Sequence, residues 1–237
     1  MSITGNQIGR AAAPAVAGIS IYRNHADTGG SLTQTAVIVD NTVASGFRYG
    51  VGVVNDADLG LISQALTISG NQIGAAEQAG IGLVDRGDAG IIQQTGTISG
   101  NVVAGQTDIS GGGLVDKLYA NFAGITQGLT LTNNTFANNE ANGVYLKAVG
   151  LGLLAQTVSL SGNLIDNNDQ GLRATAAGAL VSQTVVFVNG SNNTISNNNV
   201  GVYGSNTGVV LQNISLGNSI FTGNVATTSG NATFTNP

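Results

Sequence analysis

An Asn-centred motif recurs through this chain at a nearly constant interval, and it constrains the fold more than any other feature. Two copies read Ile68-Ser69-Gly70-Asn71 and Ile98-Ser99-Gly100-Asn101. The motif Asn returns every 29 to 33 residues, at Asn41, Asn71, Asn101, Asn134 and Asn163. We assign looser copies to Ile195-Ser196-Asn197 and Leu216-Gly217-Asn218. A repeat of this length indicates a solenoid, in which each coil packs on its neighbours.

A second column of amides precedes the first. A Gln stands seven residues before each motif Asn, and two more Gln continue the series, which comprises Gln34, Gln64, Gln94, Gln127, Gln156, Gln183 and Gln212. Apolar residues alternate around each Gln with a period of two, which indicates a β-strand with the Gln on its inward side. Equivalent amides of stacked strands lie about 4.8 Å apart and can bond one another. We therefore interpret both columns as structural ladders.

Two further strands complete each repeat. A short strand follows the Asn, and its inward column begins at Ile8 and is predicted to end at Ile220. The other strand starts at a Gly, as in Gly50–Val53 and Gly80–Leu83. Gly and Asn turns separate the strands. The sequence thus predicts an all-β solenoid: a single domain over residues 1–237, with about eight coils of roughly 30 residues and three short strands per coil.

Three strands per circuit, with an Asn at a tight turn, resemble the right-handed parallel β-helix of pectate-lyase-like proteins. The resemblance covers nearly the whole chain and implies a right-handed coil. In character the chain is most similar to the passenger or stalk regions of bacterial surface adhesins. That similarity implies an extracellular or cell-surface location on a bacterium.

The amino-acid composition limits the classes of partner that the chain is expected to bind. Only 8% of residues are charged, the net charge is −5, and there is no Cys. Negative charge disfavours nucleic acid and anionic membranes, and no apolar run approaches the roughly 18 residues of a membrane span. The absence of Cys leaves no thiolate metal site, and the single His, His25, is interpreted as an exposed loop residue. We predict no metal and no cofactor.

One group of charged residues supports an enzymatic alternative. Pectate lyases and polygalacturonases, which this chain resembles in scaffold, use clustered acidic and basic side chains on one solenoid face. Asp85, Asp116 and Lys147 follow the Gly-started strand at similar offsets and are the candidate catalytic residues for an acidic polysaccharide. The competing interpretation is an exposed turn with ordinary surface ion pairs. We favour that interpretation, and with it a non-enzymatic chain.

Two outward columns suggest contact surfaces. On the Gly-started strand, the column is predicted to contain Ser20, Gly52, Gly82 and Gly113, followed by Tyr145, Arg173 and Tyr203. Aromatic and Arg side chains are enriched at interfaces, so the last three form a candidate contact stripe. Thr rows such as Thr95-Gly96-Thr97 resemble those of ice-binding proteins and give a minor alternative, although Ala65 and Gly128 interrupt the columns.

The chain begins at the Asn motif and ends with a strand-like stretch, residues 230–237, just before the motif would recur. Complementary ends would allow copies to stack along the axis into fibres. The main prediction is therefore an extracellular structural or adhesive module. Its expected partners are copies of itself or a cell-surface polysaccharide, without nucleic acid and without membrane insertion.

Overall fold

The computed structural model is a parallel β-solenoid of about seven turns. It describes residues 1–9, 15–188, 190 and 192–235, with the side chains of residues 15, 22 and 23 excepted, and that part of the chain contains strands but no helix. The predicted fold class is confirmed, and the predicted eight coils agree roughly with the observed number. Of the predicted C-terminal strand, residues 236 and 237 lie outside the described residues.

Each coil has three faces. The first face carries the Gln column, and its separate strands are β1 (Ser2–Thr4), β4 (Ser31–Val39), β7 (Leu61–Ser69), β10 (Ile91–Ser99), β13 (Gly124–Thr132) and β22 (Thr233–Thr235). The second face, which follows the Asn, has strands of two or three residues: β2 (Gln7–Ile8), β5 (Thr42–Val43), β8 (Gln72–Ile73), β11 (Val102–Ala104), β14 (Thr135–Ala137), β16 (Leu164–Asp166), β18 (Thr194–Ser196) and β20 (Ile220–Thr222).

The third face carries the Gly column, and its strands begin one to four residues before that Gly, not at it as predicted. Its separate strands are β3 (Ala15–Ala26), β6 (Phe47–Ala57), β9 (Ala76–Gly87), β12 (Gly112–Ala120) and β21 (Ala226–Gly230). In the later coils, the third face runs without a break into the next first face, through the long strands β15 (Asn142–Ser161), β17 (Gln170–Phe187) and β19 (Val200–Ser215). The strands of this face are thus longer than the four residues that the sequence pattern predicts.

The Asn ladder is confirmed at the corner between the first and second faces. Gly70 and Gly100, which precede ladder Asn residues, have a left-handed backbone, with φ of 65° and 63°, which glycine adopts without a steric penalty. Asp40 and Asn133 take the same conformation before Asn41 and Asn134, with φ of 55° and 54°. Asn71 Nδ2 then donates to Asn101 Oδ1 at 2.9 Å, and the backbone N–H of Asn71 donates to the same oxygen at 3.0 Å. The ladder runs from Asn6 to Asn193.

A second Asn ladder occupies the corner between the second and third faces. It begins with Gln106 and continues through Asn139, Asn168, Asn198 and Asn224, each accepting a bond from the backbone of the coil before it. The sequence pattern assigned Asn197 to the first corner, but Asn197 is the left-handed residue, with φ of 54°, that stands directly before Asn198 of this second ladder. The assignment was wrong because both corners have the same local structure, a left-handed residue followed by a buried amide.

The last predicted repeat is shifted by one residue. Phe221, and not Ile220, pairs with Ile195 and faces the core, while Ile220 is exposed. Counted from the inward residue of the first face, Leu216, the ladder position falls on Ser219 and not on Asn218. The match at Asn218 is therefore one residue early, and the first ladder ends one coil before it.

The third face has a column of glycines because two backbones come close together there. A Cβ at Gly80 would lie 2.0 Å from Val103 Cγ1 and 2.9 Å from the carbonyl oxygen of Gly113. A Cβ at Gly113 would in turn contact the carbonyl oxygen of Gly143. Gly113 therefore belongs to this column and not to the outward one. Val115 occupies the predicted outward place, between Gly82 and Tyr145.

Candidate binding face

A row of buried Gln side chains runs along the axis under the first face, beside apolar residues such as Ile68 and Ile98. Gln94 Nε2 donates to Gln64 Oε1 at 2.7 Å, and Gln127 Nε2 donates to Gln94 Oε1 at 2.7 Å. The same pattern of bonds links the predicted column from Gln34 to Gln212. Since each amide donates to one neighbour and accepts from the next, these buried groups satisfy one another.

A row of acidic and amide side chains on the third face lies against the Gln column. Asn55 Nδ2 donates to Asp85 Oδ1 at 2.7 Å. Gln127 Nε2 donates to Asp116 Oδ1 at 2.9 Å, and Gln156 Nε2 donates to Asp116 Oδ2 at 2.8 Å. Both carboxyl groups are fully buried.

Burial governs the protonation of both carboxyls, because it disfavours the charged form. It raises the pKa of Asp85 to about 7, against the opposing effect of the hydrogen bond from Asn55. It raises the pKa of Asp116 to about 8; the bonds from Gln127 and Gln156 oppose this rise, and the nearby charge of Asp85 adds to it.

The three candidate catalytic residues do not share an exposed edge. Asp85 and Asp116 point into the solenoid, whereas Lys147 lies on the outer side of the third face. The register also differs from the predicted one, since Asp116 pairs with Leu83, two positions before Asp85. Burial at the strand interior keeps both carboxyls away from a polymer bound outside, so a catalytic edge made of these three residues is not formed.

The outer side of the third face carries the predicted contact stripe. The Arg173 guanidinium carbon lies 5.0 Å from the ring centre of Tyr145 and 5.6 Å from that of Tyr203, so the three side chains stack along the axis. These are cation–π distances. The glycine half of the column is not bare, because Tyr49 lies across Gly82, where an added Cβ would be 2.6 Å from the ring.

More cations surround this stripe than the single outward column predicts. Lys147 Nζ lies 5.3 Å from the ring centre of Tyr119, and Lys117 Nζ lies 6.0 Å from that of Tyr145. Burial lowers the pKa of Lys117, the charge of Lys147 lowers it further, and Asp108 opposes these effects. The charges of Arg48 and Arg86 act in the same direction as Lys147.

We call this surface the cation–aromatic face. Its defining residues are Arg48, Arg86, Lys117, Lys147, Arg173, Tyr119, Tyr145 and Tyr203. It holds five of the seven Lys and Arg residues of a chain whose net charge is −5. Positive charge is therefore concentrated on one surface of an acidic molecule, with aromatic rings between the charges.

A groove of about 530 Å³ runs along one edge of the cation–aromatic face. Its lining includes Arg86, Tyr119 and Leu151, together with the carboxylates of Asp56 and Asp88. Exposed apolar side chains continue beyond Leu151, at Leu153 and Leu180. The groove is thus lined by charged side chains of both signs, a Tyr ring and apolar residues.

The Thr and Ser rows lie on the outer side of the first face, where Thr97 pairs with Thr67 and Thr130. Ala65 and Gly128 interrupt the neighbouring column at the level of Thr95. The ice-binding alternative stays a prediction.

The chain matches no protein-family model, no curated protein and no solved structure. The resemblance to pectate-lyase-like and adhesin proteins therefore stays a prediction beyond the solenoid fold. Among the described residues, no helix is long and apolar enough to cross a membrane.

Two features were not predicted from the sequence: the row of buried acidic and amide side chains on the third face, and the full cation cluster. A signal for the first was present, because the alternation of Val51 and Val53 continues into Asn55, and that of Leu83 continues into Asp85. The cation cluster had a weaker signal. Apart from Arg48, its members occupy three outward columns, and the alignment of these columns depends on the register between coils.

Proposed function

We propose that this chain is a non-enzymatic, extracellular adhesive solenoid that binds an anionic polysaccharide along the cation–aromatic face. The observation that carries the proposal is the concentration of five of the seven cationic side chains on one face, interleaved with Tyr rings. Carboxylate or sulfate groups of the polymer would neutralise cations that repel one another. The Tyr rings would pack on the apolar faces of the sugars.

The electrostatics of Lys117 support an anionic ligand. Its ammonium group is half-buried, and the nearby charges of Lys147, Arg48 and Arg86 all disfavour its charged form. A bound anion would remove part of that repulsion and so stabilise the complex.

Binding to polygalacturonate, measured by isothermal titration calorimetry, tests the proposal. We expect saturable binding that weakens as salt is raised, since the contacts are largely ionic, and no release of new reducing ends. Replacing Lys117 and Lys147 with Gln should weaken the affinity about 10-fold or more, which corresponds to roughly 1.4 kcal/mol. Dextran, which is uncharged, should not bind.

A matched variant separates the face from net charge. Thr35 and Thr130 lie exposed on the first face, and changing both to Glu alters the net charge by the same two units. This variant should bind almost as the unaltered chain does. Equal loss in both variants, or no binding of the unaltered chain to either polygalacturonate or a sulfated glycan, would contradict the proposal.

A further inference from the structure

A His and two Asp meet at the outer edge of the third face, in the first two coils. His25 lies near the end of β3 and pairs in register with Asp56 on β6, and Asp58 stands in the turn that follows β6. One ligand atom from each residue lies within 4.8 Å of the other two, and His25 Nε2 is 3.8 Å from Asp58 Oδ2. His25 is therefore part of a strand and not the loop residue that the sequence suggested.

An irregularity in β3 creates this arrangement. The register with β6 shifts between Ile21 and Asn24, so that Asn24 turns inward onto Asn55 and His25 faces outward beside Asp56. One extra residue in a strand redirects the side chains that follow it. Asp58 is held to the same coil pair, because its backbone N–H donates to the carbonyl oxygen of Ala26 at 3.1 Å.

We propose that His25, Asp56 and Asp58 form a binding site for a divalent transition-metal ion of the Zn²⁺ class, with water completing the coordination. Zn²⁺ binds imidazole nitrogen and carboxylate oxygen at about 2.0–2.2 Å, so its ligand atoms lie roughly 3–4 Å apart. The side chains of His25 and Asp58 are 43% and 46% exposed, and small rotamer changes can bring the three atoms to that spacing.

The ligand set favours this class of ion over Ca²⁺ or Mg²⁺. Both of those ions prefer oxygen ligands, and Mg²⁺ demands near-ideal octahedral geometry. An imidazole suits zinc, copper, nickel and iron. Two carboxylates balance the charge of a divalent ion. Asp56 also lines the groove beside the cation–aromatic face. Zn²⁺ binding is measured without polysaccharide, so the two proposals can succeed or fail separately.

Zn²⁺ titration of the tag-free chain tests the site, by calorimetry and by NMR of the imidazole ring. We expect one Zn²⁺ per chain, and because His25 is the single His, its ring resonances should shift with saturation. His25→Ala should abolish saturable binding. Asp58→Asn should weaken it about 10-fold or more, since loss even of a group that only supports a metal ligand costs roughly 10–100-fold in affinity. Ca²⁺ should not compete.

Asp88→Asn is the matched control. Asp88 holds the same corner position one coil later, since its backbone N–H donates to the carbonyl oxygen of Ala57, but Arg86 stands where the site has His25 or Asp56. The control should bind Zn²⁺ as the unaltered chain does. Metal-free thermal unfolding should be the same in all variants. The proposal would be overturned by an absence of saturable binding, by unchanged binding in His25→Ala, or by His25 ring resonances that do not shift at saturation.

Discussion

At the scale of single residues, the buried carboxyl of Asp85 is compatible with the solenoid interior because its protonated form is favoured there. Asn55 donates to Oδ1 of Asp85, while Oδ2 is buried without a hydrogen-bond partner. An oxygen in that position is costly when it carries charge and tolerable when the group is neutral. The buried carboxyl of Asp85 therefore makes the stability of the fold depend on pH.

We expect the free energy of unfolding to fall as pH rises from about 4 to about 8. In this window the folded chain keeps the protons on Asp85 and Asp116, whose pKa values are raised to about 7 and about 8, while the unfolded chain releases them. Stability is then lost at about 1.4 kcal/mol per pH unit for each such group, and the loss levels off above the folded pKa. Denaturant-induced unfolding, measured at several pH values across this range, gives the size of this loss.

Asp85→Asn isolates one of these protons. An amide keeps the acceptor for Asn55 and cannot ionise, so the variant should be more stable than the unaltered chain by a few kcal/mol at pH 8 and similar to it at pH 4. Asp27→Asn, which changes an exposed carboxyl, is the control and should leave the profile unchanged. A flat pH profile in the unaltered chain would show that the interior tolerates both charges.

At the scale of the element, the two corners define the coil. Strands of the second face have two or three residues, which is too short to fix a register by their own ladder bonds. The Asn ladders on either side supply that register, because each amide bonds both the backbone and the amide of the adjacent coil. A short β-element is thus positioned by its turns.

Asn101→Ala should destabilise the chain by about 1–3 kcal/mol, the cost of a buried group left without a partner. The group affected is the backbone N–H of Asn71, which donates to Asn101 Oδ1; Asn71 Nδ2 loses its bond to the same oxygen but keeps those to the carbonyl oxygens of Ile38 and Ser69. Asn218→Ala removes an exposed Asn that stands one residue away from the ladder position, and it should change stability by less than about 0.5 kcal/mol. Equal effects in urea denaturation would remove the energetic distinction between them.

At the scale of the whole molecule, coils contact only adjacent coils, and the terminal coils have a neighbour on one side. The central strands alternate between buried and outer residues, whereas β1, β21 and β22 have no fully buried residue. Stability in such a quasi-one-dimensional fold is a sum of coil and interface terms. The ends should therefore open more readily than the centre.

Hydrogen–deuterium exchange followed by mass spectrometry checks this gradient. Amides of β1 and of β20–β22 should exchange at least about 10-fold faster than those of β10, β13 and β14, because local opening of an end coil breaks one interface and opening of a central coil breaks two. Uniform protection along the axis would mean that the solenoid opens only as a single cooperative unit.

Much of the coil could be read from the sequence because stacked side chains repeat at one spacing. The Asn and Gln columns and the apolar residues beside them were predicted at the positions where they bond or pack. Errors arose where one residue changes the phase, as at Ser219, or where a strand continues past its recognisable apolar part, as at Asn55 and Asp85. A period-two pattern marks polar inward residues only when the end of the strand is known.

The solenoid and its ladders follow from the amino-acid sequence, because identical residues at a constant spacing have one efficient way to bury their side chains and pair their amides. The surface that each charged residue reaches depends on how the coils align in the folded chain. Asp85 and Asp116 turn inward while Lys117 and Lys147 turn outward, and a strand irregularity brings His25 beside Asp56. The physical reason is that a one-residue change of register moves a side chain to the opposite side of a sheet, and register between coils is a property of the fold.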